Sequence, residues 1–106
     1  MIEKISNEHK KLFPMVDLDS QYEKLIEEKN EVLKELADVA IVCAGIYRFD
    51  QHEALRLMSR AYMACEILGF KMSDLDKEVN RKWQINLERK WEWNGKTYHH
   101  VEDTKK

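Results

Sequence analysis

An all-α fold is what this sequence predicts, and three observations carry the expectation. Its 106 residues include only three glycines and one proline, so little interrupts helix propagation. Glu, Lys, Leu and Ala, all good helix formers, are numerous. Apolar residues recur at helical spacing over long stretches. Together these predict a small bundle of about four helices in a single domain, 1–106, with an N-terminal segment at 1–18 and a C-terminal tail at 96–106. A chain of this length buries a modest core, so association between copies would add to its stability.

At the N-terminus, Ile2, Ile5, His9 and Leu12 stand at helical spacing and predict a short helix over 1–12, ended by Pro14. Phe13 to Leu18 reads as an irregular connector, after which Asp19 or Ser20 offers an N-cap. From Tyr22 the positions Leu25, Ile26, Val32, Leu33, Leu36, Val39, Ala40, Cys43, Ile46 and Tyr47 hold helical phase, and neither Gly nor Pro intervenes before Gly45. This is one long helix, or two helices with a very tight joint at 32–34. Arg48-Phe49-Asp50 closes it, and Asp50 can cap the next helix. A third helix over 51–68 carries Leu55, Met58, Ala61, Tyr62, Cys65 and Leu68, with Gly69 as the residue just past its end. Ser73 or Asp74 caps a fourth, with Leu75, Val79, Trp83, Leu87 and Trp91 in phase. Asn94-Gly95 is a turn signal, and the tail beyond it packs through Tyr98.

Charge and composition narrow the function. Eighteen basic residues against 20 acidic ones leave a net charge of −2, without the basic excess of a duplex binder, so no nucleic-acid partner is expected. The N-terminus MIEKISNEHKK lacks the apolar core of a signal peptide and no apolar run approaches a membrane span, so a cytoplasmic location without a membrane partner is expected. Cys43 and Cys65 fall within apolar helical patterns and read as small buried hydrophobes. Charge is unevenly distributed, however. Residues 23–38 carry six acids, Glu23, Glu27, Glu28, Glu31, Glu35 and Asp38, against three lysines. Residues 81–96 carry Arg81, Lys82, Arg89, Lys90 and Lys96 against Glu88 and Glu92.

Within the acidic stretch, Glu28, Glu31, Glu35 and Asp38 fall within an arc of about 80° on a helical wheel, at the border of the apolar face. The ordinary reading is a solvated face with Lys24 and Lys34 as local partners. The functional reading is a Mg²⁺ site, because Mg²⁺ takes a few carboxylate oxygens and leaves positions for water and substrate phosphates. Lys82, Asn86 and Arg89 share one face at i, i+4 and i+7. Spacing alone makes that a solvated face too, although Asn86 is a poor helix former. Trp83 and Trp91 read as core or interface residues, while Trp93 or Tyr98 can stack on a base. His99 and His100 read as an exposed tail, Met58, Met63 and Met72 as packing, and Arg48 and Asp50 as capping or ordering groups.

Taken in order, these motifs carry a resemblance. Glu28-Lys29-Asn30-Glu31 and Glu35-Leu36-Ala37-Asp38, within KLIEEKNE and KELADVAIVCAGIYRF, with Lys82, Asn86, Arg89, Trp91 and GKTYHH beyond them, resemble the MazG-like all-α nucleoside triphosphate pyrophosphohydrolases over about residues 20–100. The resemblance implies hydrolysis between the α- and β-phosphates of (deoxy)nucleoside triphosphates to monophosphate and pyrophosphate, in the service of nucleotide-pool house-cleaning. It implies Glu28, Glu31, Glu35 and Asp38 as ligands of Mg²⁺, with Mn²⁺ as a substitute, and as the catalytic acids. Lys82, Asn86 and Arg89 would bind phosphate, and the assembly would be a homodimer or tetramer. One feature departs from the pattern: only Val32, Leu33 and Lys34 separate the two acidic motifs, where the family has a dozen residues or more. None of the three is a turn former. A continuous helix is therefore expected, with ExxE of one subunit facing ExxD of another. The competing expectation is a non-catalytic helical interaction module that has kept the fold and lost the site, its long helix and tryptophans forming a dimer interface.

Overall fold

A computed structural model describes residues 1–101; the last five residues of the expected tail, 102–106, lie outside the described residues. The order is α1 (Ile2–Leu12), α2 (Leu18–Ile46), α3 (Gln51–Ile67), α4 (Met72–Glu88), β1 (Trp91–Trp93) and β2 (Tyr98–His100). The fold is all-α with one small hairpin. Helix α2 runs unbroken for 29 residues, as the lack of a turn former between the acidic motifs led us to expect. The chain groups into two compact units, and the boundary between Val32 and Leu33 falls within the three-residue joint.

In the first unit, α1 buries none of its residues. The Phe13 N–H donates to the His9 carbonyl at 2.8 Å before Pro14 ends the helix. Asp17, rather than Asp19 or Ser20, caps α2. Its Oδ1 accepts from the Ser20 N–H at 2.8 Å, and Ser20 Oγ accepts from the Asp17 N–H at 3.1 Å. A cap must stand before the first helical residue to reach the free amide three positions on, which Asp17 does and Asp19 does not. The hydrogen bond from the Ser20 backbone, and after it that from the Ser20 side chain, holds the Asp17 carboxyl below its ordinary value.

The second unit has its core where α2, α3 and α4 supply Ala37, Cys65 and Leu75, flanked by Leu33, Leu36, Tyr62, Phe70 and Val79. The buried positions on α2 and α3 are all Ala or Cys (Ala37, Ala40, Cys43, Ala54, Ala61 and Cys65). Such small side chains bring helix axes close together. Both cysteines are buried free thiols. Burial, with Asp74 and Glu66 nearby, pushes the Cys65 thiol up.

Local chemistry sets the ends of these helices. Asp50 caps α3 by accepting from the Glu53 N–H at 3.0 Å. At the other end, Gly69 takes φ +96°. The Phe70 N–H reaches back to the Cys65 carbonyl at 3.1 Å and the Gly69 N–H to Glu66 at 2.9 Å, a Schellman motif. Helix α4 then begins earlier than a cap at Ser73 or Asp74 would require. Lys71 is its N-cap, and Asp74 reaches back from the first turn to accept the Lys71 N–H at 2.8 Å. The Tyr62 hydroxyl donates to Asp76 and so ties α3 to α4. Burial first, then Asp76, pushes that hydroxyl up to about 12.

The chain leaves helical geometry earlier than the apolar phase suggested. Helix α4 stops at Glu88, and Arg89 turns extended at ψ 156°. Trp91 therefore lies on a strand and not on α4. β1 pairs antiparallel with β2 in the register Trp91 to His100, Glu92 to His99 and Trp93 to Tyr98. Asn94 organises the turn, its Oδ1 accepting from the Lys96 and Thr97 N–H groups at 2.9 and 2.8 Å. Gly95 supplies φ +96° there. Trp93 and Tyr98 ring centroids lie 5.2 Å apart, and Trp91 and His100 meet edge to face at 5.8 Å. Cross-strand aromatic pairs of this kind stabilise a hairpin where helix propensity is weak.

Candidate functional site

The second unit joins the acidic motif to the basic segment. Lys82 Nζ on α4 donates to Asp38 Oδ2 on α2 at 3.2 Å, across 44 residues of sequence. The Lys82 side chain is 25% exposed and that of Asp38 46%. Arg81 is close enough for the Asp38 charge to help keep its guanidinium protonated, although the stronger influence is its own ion pair with Glu78. That pair in turn holds Glu78 below the ordinary carboxylate range.

Beside Asp38 opens a groove of about 820 Å³, bordered by Trp83, Asn86, Arg89, Trp91 and Tyr98. Two predicted phosphate ligands, Asn86 and Arg89, thus line the same space as Asp38, and the third, Lys82, is bonded to it. They are not brought together by a shared helix face, since Arg89 lies just past the end of α4. The Trp91 indole N–H donates to the Asn86 carbonyl at 2.8 Å, satisfying one of the carbonyls that a helix end leaves open. That bond ties the start of the hairpin to the end of α4, and Trp91 and Tyr98 of the hairpin line the groove. Sequence reasoning marked Tyr98 for stacking but missed the hairpin. The signal was available in Asn-Gly flanked by WEW and YHH, an aromatic pair of segments around a hairpin turn.

The acids divide. Glu35 and Asp38 line a second groove of about 600 Å³, whose remaining walls are largely apolar, among them Val39, Val42, Ile46 and Leu57, with Arg60 at its border. Glu28 and Glu31 belong to the first unit, where Glu28 lies 3.9 Å from Lys24 with both side chains exposed. Among the described residues no group of three or more His, Cys, Asp or Glu is assembled to hold a metal ion. Glu35 and Asp38 border one groove, and Mg²⁺ needs only one or two protein carboxylates when waters and substrate phosphates complete its shell. Among the described residues no helix is long and apolar enough to cross a membrane.

Comparison with protein-family models, with curated proteins and with solved structures gives no significant match.

Proposed function

We propose that this chain is a Mg²⁺-dependent nucleoside triphosphate pyrophosphohydrolase of the MazG-like kind, cutting between the α- and β-phosphates. The observation that carries the reading is that Asp38, Asn86 and Arg89 border one groove while Lys82 bonds to Asp38. Charges of both signs around a shared cleft suit a polyanion that arrives with a divalent cation. In this reading Glu35 and Asp38 would hold Mg²⁺, and Glu28 and Glu31 of a second copy would complete the ligand set in a homodimer or tetramer. Bound there, Mg²⁺ would supply Lewis acidity and lower the pKa of water. Lys82 orients the Asp38 carboxylate. One of the four carboxylates takes the water's proton as its oxygen attacks the α-phosphorus. The bond to the bridging oxygen breaks, and Arg89, with the Asn86 side-chain amide, offsets charge gathering on the departing pyrophosphate.

Incubation with each common NTP and dNTP plus Mg²⁺, with chromatography of the products, tests this. Monophosphate plus pyrophosphate is the expected result, lost with a chelator and regained with Mn²⁺. Diphosphate plus phosphate, or no product with either metal, refutes it.

A second reading, the non-catalytic dimerisation module, is favoured by one observation. Among the described residues the second unit fully buries no side chain larger than Leu75, and it leaves Val42 and Ile67 63% and 83% exposed. Mg²⁺-dependent thermal stabilisation separates the two readings. A cation bound only by the folded state raises its stability by about 2.7 kcal/mol at 100 times Kd, whereas a bare module shows only a general salt effect.

A further inference from the structure

The hairpin carries an aromatic face that the catalytic reading leaves without a role. Residues two apart on a strand share a face, and directly paired residues share it across the ladder. The observed register therefore puts Trp91, Trp93, Tyr98 and His100 on one side, with Glu92 and His99 on the other. Burial does not explain that face, because Trp93 is 58% and Tyr98 65% exposed. Trp91 and Tyr98 border the same groove as Arg89 and Asn86, so one cleft combines aromatic rings with a cation and a side-chain amide. Its volume of about 820 Å³ lies within the range of cavities that enclose ligands of nucleotide size.

Resting on the phosphate-binding role of Arg89 and Asn86, we infer that the aromatic face of the hairpin is the nucleobase subsite, with Tyr98 as its principal stacking partner. The ligand class this selects is a planar heteroaromatic base joined to a polyphosphate. Stacking accepts any base with a π-face, so recognition here is tolerant of base identity. Trp93 packs against Tyr98, their ring centroids 5.2 Å apart and their planes tilted by 60°, and the Trp91 indole bond to the Asn86 carbonyl ties the hairpin to the end of α4.

Calorimetric titration of the full chain with Mg²⁺ tests this, using two probes. One is a set of nucleoside 5′-(α,β-imido)triphosphates bearing adenine or uracil, and the other is inorganic triphosphate, which has no base. Tyr98→Ala is expected to weaken both nucleotides by about tenfold, the order of losing one stacking partner, and to leave triphosphate unchanged. Tyr98→Phe is expected to restore nucleotide binding. An equal loss for nucleotide and triphosphate assigns the hairpin a purely structural role and overturns the inference, as does no loss for either probe. Wild-type protein that binds triphosphate as tightly as nucleotide also overturns it while leaving the hydrolase reading intact. Base-dependent binding through Tyr98 without cleavage in the product assay does the reverse, and binding of neither probe overturns both.

Discussion

Replacing Asp38 with Asn removes one charge and almost no volume, and it separates the two things Asp38 can be doing. Its Oδ2 accepts from Lys82 Nζ at 3.2 Å, with the two side chains 46% and 25% exposed. Two unit charges about 4 Å apart attract by about 1 kcal/mol in water and about 4 kcal/mol at a protein surface. Side-chain ordering and screening reduce what such partly exposed pairs contribute to about 0–1 kcal/mol. The Asn oxygen can still accept from Lys82, so the expected loss of stability is below about 1 kcal/mol, a fall in Tm of no more than about 4–8 °C. Turnover is expected to respond on another scale. Loss of a carboxylate that holds the metal or moves the proton costs about 100-fold or more in kcat, which is about 2.7 kcal/mol at 1.36 per decade. Thermal melting and product chromatography on the same preparation measure both quantities. Unchanged kcat would remove Asp38 from the site. A larger fall in Tm with turnover lost in proportion would make the Asp38–Lys82 bond a structural tie and refute the separation.

Packing and local geometry set three further outcomes. Leu75→Ala empties the centre of the second unit's core and is expected to cost about 2–5 kcal/mol, read from the urea midpoint. Gly69→Ala forces a Cβ onto a residue at φ +96° and is expected to cost about 1–2 kcal/mol in the same assay, with turnover unaffected. Tyr62 gives an alkaline signature. Its hydroxyl is pushed from an ordinary 10.0 to about 12, so the folded state keeps a proton that the unfolded state releases. That contribution is complete below pH 10 and is lost as pH rises through about 12. Tm should therefore fall over that interval, and Tyr62→Phe should flatten the fall; an unchanged alkaline limb would show that Tyr62 does not contribute to it.

Much of the helical framework was written locally. The apolar phase through 22–47 specifies α2, and Asp50 and Gly69 mark the two ends of α3, because a cap or a positive φ is decided by residues within a few positions. Where local signals competed, phase alone misled. Trp91 continues the apolar stripe of Leu87 and Trp83, yet it lies on β1. Pairing with His100 and the indole bond to the Asn86 carbonyl are interactions that no helical position could provide together. The same departure takes Arg89 off the helix that was expected to display it.

By itself, the sequence determined the helix-rich class, the caps of α3, the buried cysteines and which residue types carry charge. Only the tertiary structure decided that Lys82 meets Asp38, that Asn86 and Arg89 border the same groove, and that an aromatic hairpin walls it. The physical reason is range. Helix period and capping are set by neighbours along the chain, whereas a hydrogen bond between groups 44 residues apart forms only once α2 and α4 are positioned by the packing of small side chains around Leu75.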